Sequence, residues 1–201
     1  MTGPRCNLPF RRRRERRTDY KSRRALVSSG LPRLVVRGTN KHMTVQLVEA
    51  NPKGDKILAS ANSTELGKKY GWKLHCGNVP SAYLTGLMAG MKAKDKGLTE
   101  AVLDIGLRKG TKGCRSFAAL KGAVDSGLEI PHDEKIFPDE SRIHGEHIAS
   151  YAKMLAKDQD TYKKRFSKYV GAGIKSEEFP KHFEEIKNRI LQGTNKAVKS
   201  N

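Results

Sequence analysis

The residues best equipped for chemistry stand close to the start of the chain, in the run RRRRERRTDYKSRR at positions 11–24. Arg11, Arg12, Arg13, Arg14, Arg16, Arg17, Arg23 and Arg24 carry planar guanidinium forks that match phosphate oxygens, and Lys21 adds a point charge. Only Glu15 and Asp19 oppose them. Like charges one helical turn apart repel, so the run is a weak helix alone. Unpaired guanidinium groups are also too costly to desolvate for a core to take them in, so the run faces water or a polyanion. A helix lying on a membrane carries a Trp/Phe/Leu face opposite its cations. None is present here, and nucleic acid is the polyanion implied. Tyr20 interleaves with the cations, either to stack on a base or ribose or to pack on the domain.

A second basic segment, GLRKGTKGCR at 106–115, falls between an apolar strand-like run and a helical pattern. Its glycines let backbone amides approach an anion, and Arg108, Lys109, Lys112 and Arg115 supply charge. It fits neither the Walker A nor the GxGxxG pattern, so contact with an RNA backbone is favoured over a free nucleotide. The enzyme readings are thinner. A metal-dependent nuclease needs several converging carboxylates. Asp104 and Glu49 sit at sheet positions without an obvious third acid, and Asp104 reads as a structural residue accepting N–H groups at a strand end. His144 and His147 flank Glu146 without further metal ligands and read as capping or packing residues. No Ser/His/Asp or Cys/His arrangement is evident, and neither a cofactor nor a small-molecule substrate is expected.

Composition agrees. The formal charge of +19 over 201 residues exceeds what solubility requires and points to an anionic partner. Residues 1–24 hold ten Lys/Arg against two acids, residues 25–132 sixteen against eight, and residues 133–201 fourteen against eleven, so the excess lies in the arm and the middle. Cys6, Cys76 and Cys114 are scattered and odd in number, which argues against a disulfide framework or a zinc ribbon and for a reducing, intracellular setting. The longest uncharged stretch, 74–91, contains Asn78, Pro80 and three glycines and reads poorly as a membrane span. The start of the chain lacks the apolar segment of a secretion signal.

The elements that must position these residues follow from periodicity. Good helix formers run from Arg11 to Ser29, with apolar residues only at Ala25, Leu26 and Val27, so a helix there lacks a buried stripe. Period-two runs at 34–36, 43–48 and 56–60, with a turn at 51–55, predict a three-stranded antiparallel meander. Leu84, Leu87, Met88 and Met91 mark a helix beginning near Pro80; Ala101 to Ile105 reads as a further strand, parallel to its neighbour; Phe117 to Val124 is a second helix. The fold class is therefore α/β: a mixed sheet from a β-β-β-α-β-α core, helices covering one face and the other left available. Three helical sets follow, at Ile148/Tyr151/Ala152/Leu155, Tyr162/Phe166/Tyr169/Val170 and Phe183/Ile186/Ile190/Leu191. The organisation expected is a basic arm at 1–30, a core domain at 31–132 and a helical extension at 133–201 that docks on the core or on another protein.

Particular strings say more. RRRRERRTDYKSRRALVSSGLPRLVVRGTNKH, GNVPSAYLTGL at 77–87, LDIGLRKGTKGCRSFAALKGAVDSGLEIPH at 103–132 and FPDESRIHGEHIASYAKML at 137–155 together resemble the large-subunit ribosomal proteins that bind 5S rRNA, in their archaeal and eukaryotic branch. The resemblance covers roughly residues 5–191, and the C-terminal helices are similar in length to the archaeal form. It implies a structural constituent of the large subunit, in the cytoplasm, that anchors 5S rRNA to the large-subunit rRNA at the central protuberance. Neighbouring ribosomal proteins would be its other partners, with no catalytic duty and no membrane. It carries the arm cations and Tyr20 over as RNA contacts, and extends that surface to Arg37, Asn40, Lys41 and His42 and to the basic residues of 108–115. A metal-dependent nuclease on a similar sheet stands as the alternative.

Overall fold

The structure, a computed structural model, describes residues 8–171, 173 and 175–198. Its centre is the sheet that the period-two runs imply. Strands β1 (Arg33–Gly38), β2 (Met43–Glu49) and β3 (Lys56–Asn62) form an antiparallel meander, and β4 (Val102–Asp104) pairs parallel to β1 on its other side, giving the order β3-β2-β1-β4. Alternation sends Leu34, Val36, Val45, Leu47, Ala59 and Ala61 into the core, where all are nearly inaccessible. A bulge between Leu47 and Val48 shifts the β2–β3 register, so that Val48 opposes Ile57.

Two helices cover that face, α4 (Val79–Lys94) and α5 (Arg115–Asp125). They meet through small residues. A β-carbon at Gly86 would stand 1.9 Å from the Ala119 carbonyl oxygen, and one at Gly122 would stand 2.1 Å from that of Tyr83. Only glycine lets the two backbones come so near. Because α4 is buried on almost every side, it shows little of the one-sided periodicity of a surface helix.

Within the core the sequence reading omits helix α3 (Ser63–Tyr70), which interrupts the β-β-β-α-β-α order. Its start is a capping box: Asn62 accepts the Thr64 N–H, and the Glu65 carboxylate accepts the Asn62 N–H at 3.1 Å. Glu65 also receives the Lys69 and Lys92 ammonium groups, each at 2.8 Å. Burial alone would raise this carboxyl, but the hydrogen bonds prevail and bring it down to about 2. Lys92 and Lys96 extend to the carbonyls of Ser60 and Leu58 on the outer strand β3, so lysines occupy acceptors on the edge of the sheet.

The C-terminal part forms a layer of helices, α6 (Glu140–His144), α7 (Glu146–Leu155), α8 (Gln159–Arg165), α9 (Ser167–Gly171) and α10 (Phe179–Val198). Helix α10 docks on the core: Phe179 meets Trp72 edge-on at 5.6 Å, and Phe183 lies 5.8 Å from Tyr83 of α4. Phe179, Phe183, Ile186 and Ile190 belong to the same buried cluster as Leu34 and Val45. The set Tyr162/Phe166/Tyr169/Val170 is divided between α8 and α9. The chain leaves helical geometry at Phe166, whose ring is buried against Tyr162 and Tyr169, while Val170 turns outward.

The Glu65 cluster gives a pH prediction. Its folded pKa lies below the value of about 4.5 for the unfolded chain, so its contribution is present above that pH and is lost as pH falls toward 2. Glu65→Gln lowers unfolding free energy at pH 7 by on the order of 1–3 kcal/mol. In urea denaturation at descending pH, the gap between wild type and variant closes below about pH 4.

Candidate nucleic-acid interface

The other face of the sheet is where the arm lies. Sequence alone suggests one helix from Arg11 to Ser29; the structure has two, α1 (Arg11–Arg14) and α2 (Tyr20–Ser28). Arg16 breaks the run with φ at 51°, and Asp19 restarts it by accepting the Lys21 and Ser22 N–H groups. Adjacent cations are relieved by this break, which separates the four arginines of α1 from Arg23 and Arg24 of α2. Phe10 and Tyr20 lie 5.0 Å apart at the junction, so Tyr20 already has an aromatic neighbour in its own chain. No residue of either helix is buried.

Arm and sheet enclose a cleft of about 1160 Å³, lined by Arg12, Arg17, Tyr20, Arg23 and Leu26 on one side and by Val35, Gln46, Ile57 and Leu103 on the other. The open face is thus partly roofed rather than wholly available. What fixes the roof is a chain of alternating charges. Arg23 of α2 forks onto Asp55 at 2.6 and 2.9 Å, Arg33 reaches Asp55 at 2.7 Å and Asp104 at 3.0 Å, and Arg37 meets Asp104 at 2.8 Å. Asp104 also accepts the Gly106 N–H at 2.9 Å, the strand-end role expected of it. The Arg23 fork holds the Asp55 carboxyl below the usual carboxylate range, with Arg33 adding to the effect. Arg33 is 3% exposed, so its charge requires both partners.

At the far end of the sheet, where β1 and β4 finish, the loop segments converge. Arg108 donates to the Gly38 carbonyl, and Arg115 to those of Thr39 and Gly77 at 2.9 and 2.6 Å. These two arginines, with Arg37, spend donors on holding backbone in place, and are less free than composition suggests. Lys109 and Lys112 are exposed and form no ion pair among the described residues, and neither do Lys41 and His42, which are exposed with Asn40 on the β1–β2 turn. In the arm, Arg11 and Arg17 share Glu15 at 2.8 and 3.3 Å, and Arg12 donates to Thr18 at 2.9 Å. Arg13, Arg14, Arg16, Lys21 and Arg24 make no ion pair with a described carboxylate.

Two further residues join this surface that sequence reading does not single out. His75 takes the Gly77 N–H on Nδ1 at 3.0 Å; burial pushes its pKa down, and the charges of Lys168, Arg115 and His42 act in the same direction. Lys168 of α9 thereby brings the C-terminal layer to the cationic loops. Nothing local marks either residue, because their meeting depends on how the layer docks. Asp104, on which a nuclease would depend, is engaged by two guanidinium groups. Among the described residues, no group of three or more His, Cys, Asp or Glu is placed to hold a metal ion. His144 faces Glu184 at 3.4 Å.

The family of ribosomal large subunit proteins comprising 60S L5 and 50S L18 matches residues 4–99 and 89–133. The chain belongs to this family. The matched residues take in the arm, the sheet and α5, and so include every cation named above except Lys168. Family membership makes this a large-subunit ribosomal protein of the L5/L18 type, and that family is of a structural, non-enzymatic kind. No described helix is long and apolar enough to cross a membrane.

The charge chain makes a prediction whose sign is diagnostic. Asp55→Asn removes an acid from a cationic surface, and by net charge alone should strengthen RNA binding. Because Asp55 holds Arg23 and the α2 roof in place, RNA affinity instead falls, by about threefold to tenfold, an interaction worth on the order of 1 kcal/mol. Filter binding with the folded variant measures this, and Asp55→Glu should recover part of the loss.

Proposed function

We propose that the chain binds 5S rRNA and helps attach it to the large-subunit rRNA at the central protuberance of the cytoplasmic large subunit. One observation carries the reading: in a chain of the L5/L18 family, cations from three distant stretches of sequence lie along one surface. That surface runs from the arm, over the outer sheet face, to the loops at 38–42 and 106–115.

In this proposal Arg11–Arg14, Arg16, Arg17, Lys21, Arg23 and Arg24 neutralise phosphates, with Arg13, Arg14, Arg16, Lys21 and Arg24 contributing most, since no carboxylate holds them. Tyr20 offers an aromatic face to an unstacked base, alongside Phe10. Asn40, Lys41, His42, Lys109 and Lys112 meet a second stretch of backbone, over the scaffold that Arg37, Arg108 and Arg115 maintain. Each phosphate neutralised releases counterions, so affinity falls steeply with salt. The shape of a folded RNA, its loop bases and its 2′-hydroxyls supply selectivity that phosphate contacts alone lack. Neighbouring large-subunit proteins are the other partners.

Deleting residues 1–24 tests the arm. The truncated chain should bind 5S rRNA at least about tenfold more weakly at 100 mM salt and show a shallower slope of log affinity against log salt, because fewer counterions are released. An unchanged affinity and slope would remove the arm from the interface. A transfer RNA competitor at equal concentration separates selective binding from general attraction to RNA.

A further inference from the structure

The C-terminal layer is nearly balanced in charge as a whole, but its cations are unevenly spread. Residues 161–175 hold five Lys/Arg and no acid, which leaves nine against eleven in the rest of 133–201. Helical periodicity sorts this stretch into two faces. Tyr162, Phe166 and Tyr169 turn inward, with Phe166 5.2 Å from Tyr162 and Tyr169 6.3 Å from Phe179 of α10. Lys163, Lys164, Arg165 and Lys168 are left exposed, and none makes an ion pair with a described carboxylate. Of the two acids just before them, Asp158 spends its carboxylate on the Thr161 N–H and hydroxyl at 3.2 and 2.7 Å, capping α8, and Asp160 forms no ion pair among the described residues. Cations so closely spaced repel one another, so a polyanion that receives them relieves a cost as well as making contacts.

The patch has a definite place. Lys168 stands close enough to His75 for its charge to act there, beside the point where Arg115 reaches the Gly77 carbonyl. The cationic loops at the end of the sheet therefore have the arm on one side and α9 on the other. The arm lies over the outer sheet face, whereas the C-terminal layer packs through Phe183 on Tyr83 of α4, which covers the inner face. The acids of 133–140 return to the loop at Gly113, whose N–H meets the Ile136 carbonyl at 3.0 Å, and pair with none of the four exposed cations. RNA laid along the arm is thus separated from α8 and α9 by the sheet and its helices. A protein that attaches one RNA to another needs two such faces.

We propose that Lys163, Lys164, Arg165 and Lys168 hold phosphates of the large-subunit rRNA, while the arm side holds 5S rRNA. The inference rests on the function proposed above and gives the second RNA of that attachment a surface of its own, outside the family match that ends at residue 133. A lipid surface is a poor occupant, since it needs an apolar face beside the cations, and Phe166 and Tyr169 are buried in the protein.

Filter binding of the full chain to 5S rRNA and to a large-subunit rRNA transcript tests this. The variant carrying Lys163→Gln, Lys164→Gln, Arg165→Gln and Lys168→Gln should bind 5S rRNA within about twofold of wild type, since none of its arm contacts is touched. Its complex with 5S rRNA should capture the large-subunit transcript at least about tenfold more weakly at 100 mM salt, and log affinity against log salt should be shallower by roughly 3, as four lost phosphate contacts require. Thermal unfolding checks that the variant is folded; if it is not, the pair Lys164→Gln and Lys168→Gln is read instead, with about half the change in slope. The proposal is overturned if capture of the large-subunit transcript is unchanged, or if 5S affinity falls by as much. Failure of the underlying function shows elsewhere, as a chain lacking residues 1–24 that still binds 5S rRNA with full affinity.

Discussion

The arrangement depends on a guanidinium that has almost no access to water. Arg33 sits on the outer face of β1, 3% exposed, with its Nη atoms on Asp55 and Asp104 and its Nε buried without a partner. A lone cation in such a place would be prohibitively costly, and removing either carboxylate would leave the charge partly uncompensated. Both carboxylates are therefore obliged to stay, even in a chain whose overall need is for positive charge. Each then recruits a second arginine: Asp55 takes Arg23 from α2, and Asp104 takes Arg37 from β1. A buried pair on the sheet thus becomes the anchor by which a weakly helical arm is held over a cleft.

This sorts the chain's many cations into two kinds. Arg23, Arg33, Arg37, Arg108 and Arg115 are joined to carboxylates or carbonyls and keep the scaffold in shape. Arg13, Arg14, Arg16, Lys21, Arg24, Lys109 and Lys112 keep their charge for the outside. The distinction matters for an RNA-binding protein, because an arm that collapsed onto its own acids would have little left to offer a phosphate. Glu15 and Asp55 engage Arg11, Arg17 and Arg23, enough to position the arm without neutralising it.

Much of this was legible in the sequence. The period-two runs at 34–36, 43–48 and 56–60 gave the meander, since alternating burial on a one-sided sheet leaves an unambiguous mark. The parallel fourth strand followed from its helical crossover. The solvent-facing arm followed from the cost of burying arginine. Helix α3 was missed although its Asn62–Glu65 capping box is present in the letters, because its short, mostly polar run offers little periodicity to catch the eye. The break at Arg16 was missed because composition gives helix formers on both sides, and only backbone geometry reveals the left-handed residue.

What the residues determined by themselves was the class of fold, the sign of the partner and the family, because these rest on patterns and charges that are local along the chain. Which arginine binds and which one braces was decided by tertiary structure. Arg23 and Arg24 are indistinguishable as letters; the turn carrying Asp55 folds back to meet only the first. His75 and Lys168, nearly a hundred residues apart in sequence, share a surface through the docking of the C-terminal layer. Charge is inherited from the sequence, but its freedom is set by what the fold brings within hydrogen-bonding distance.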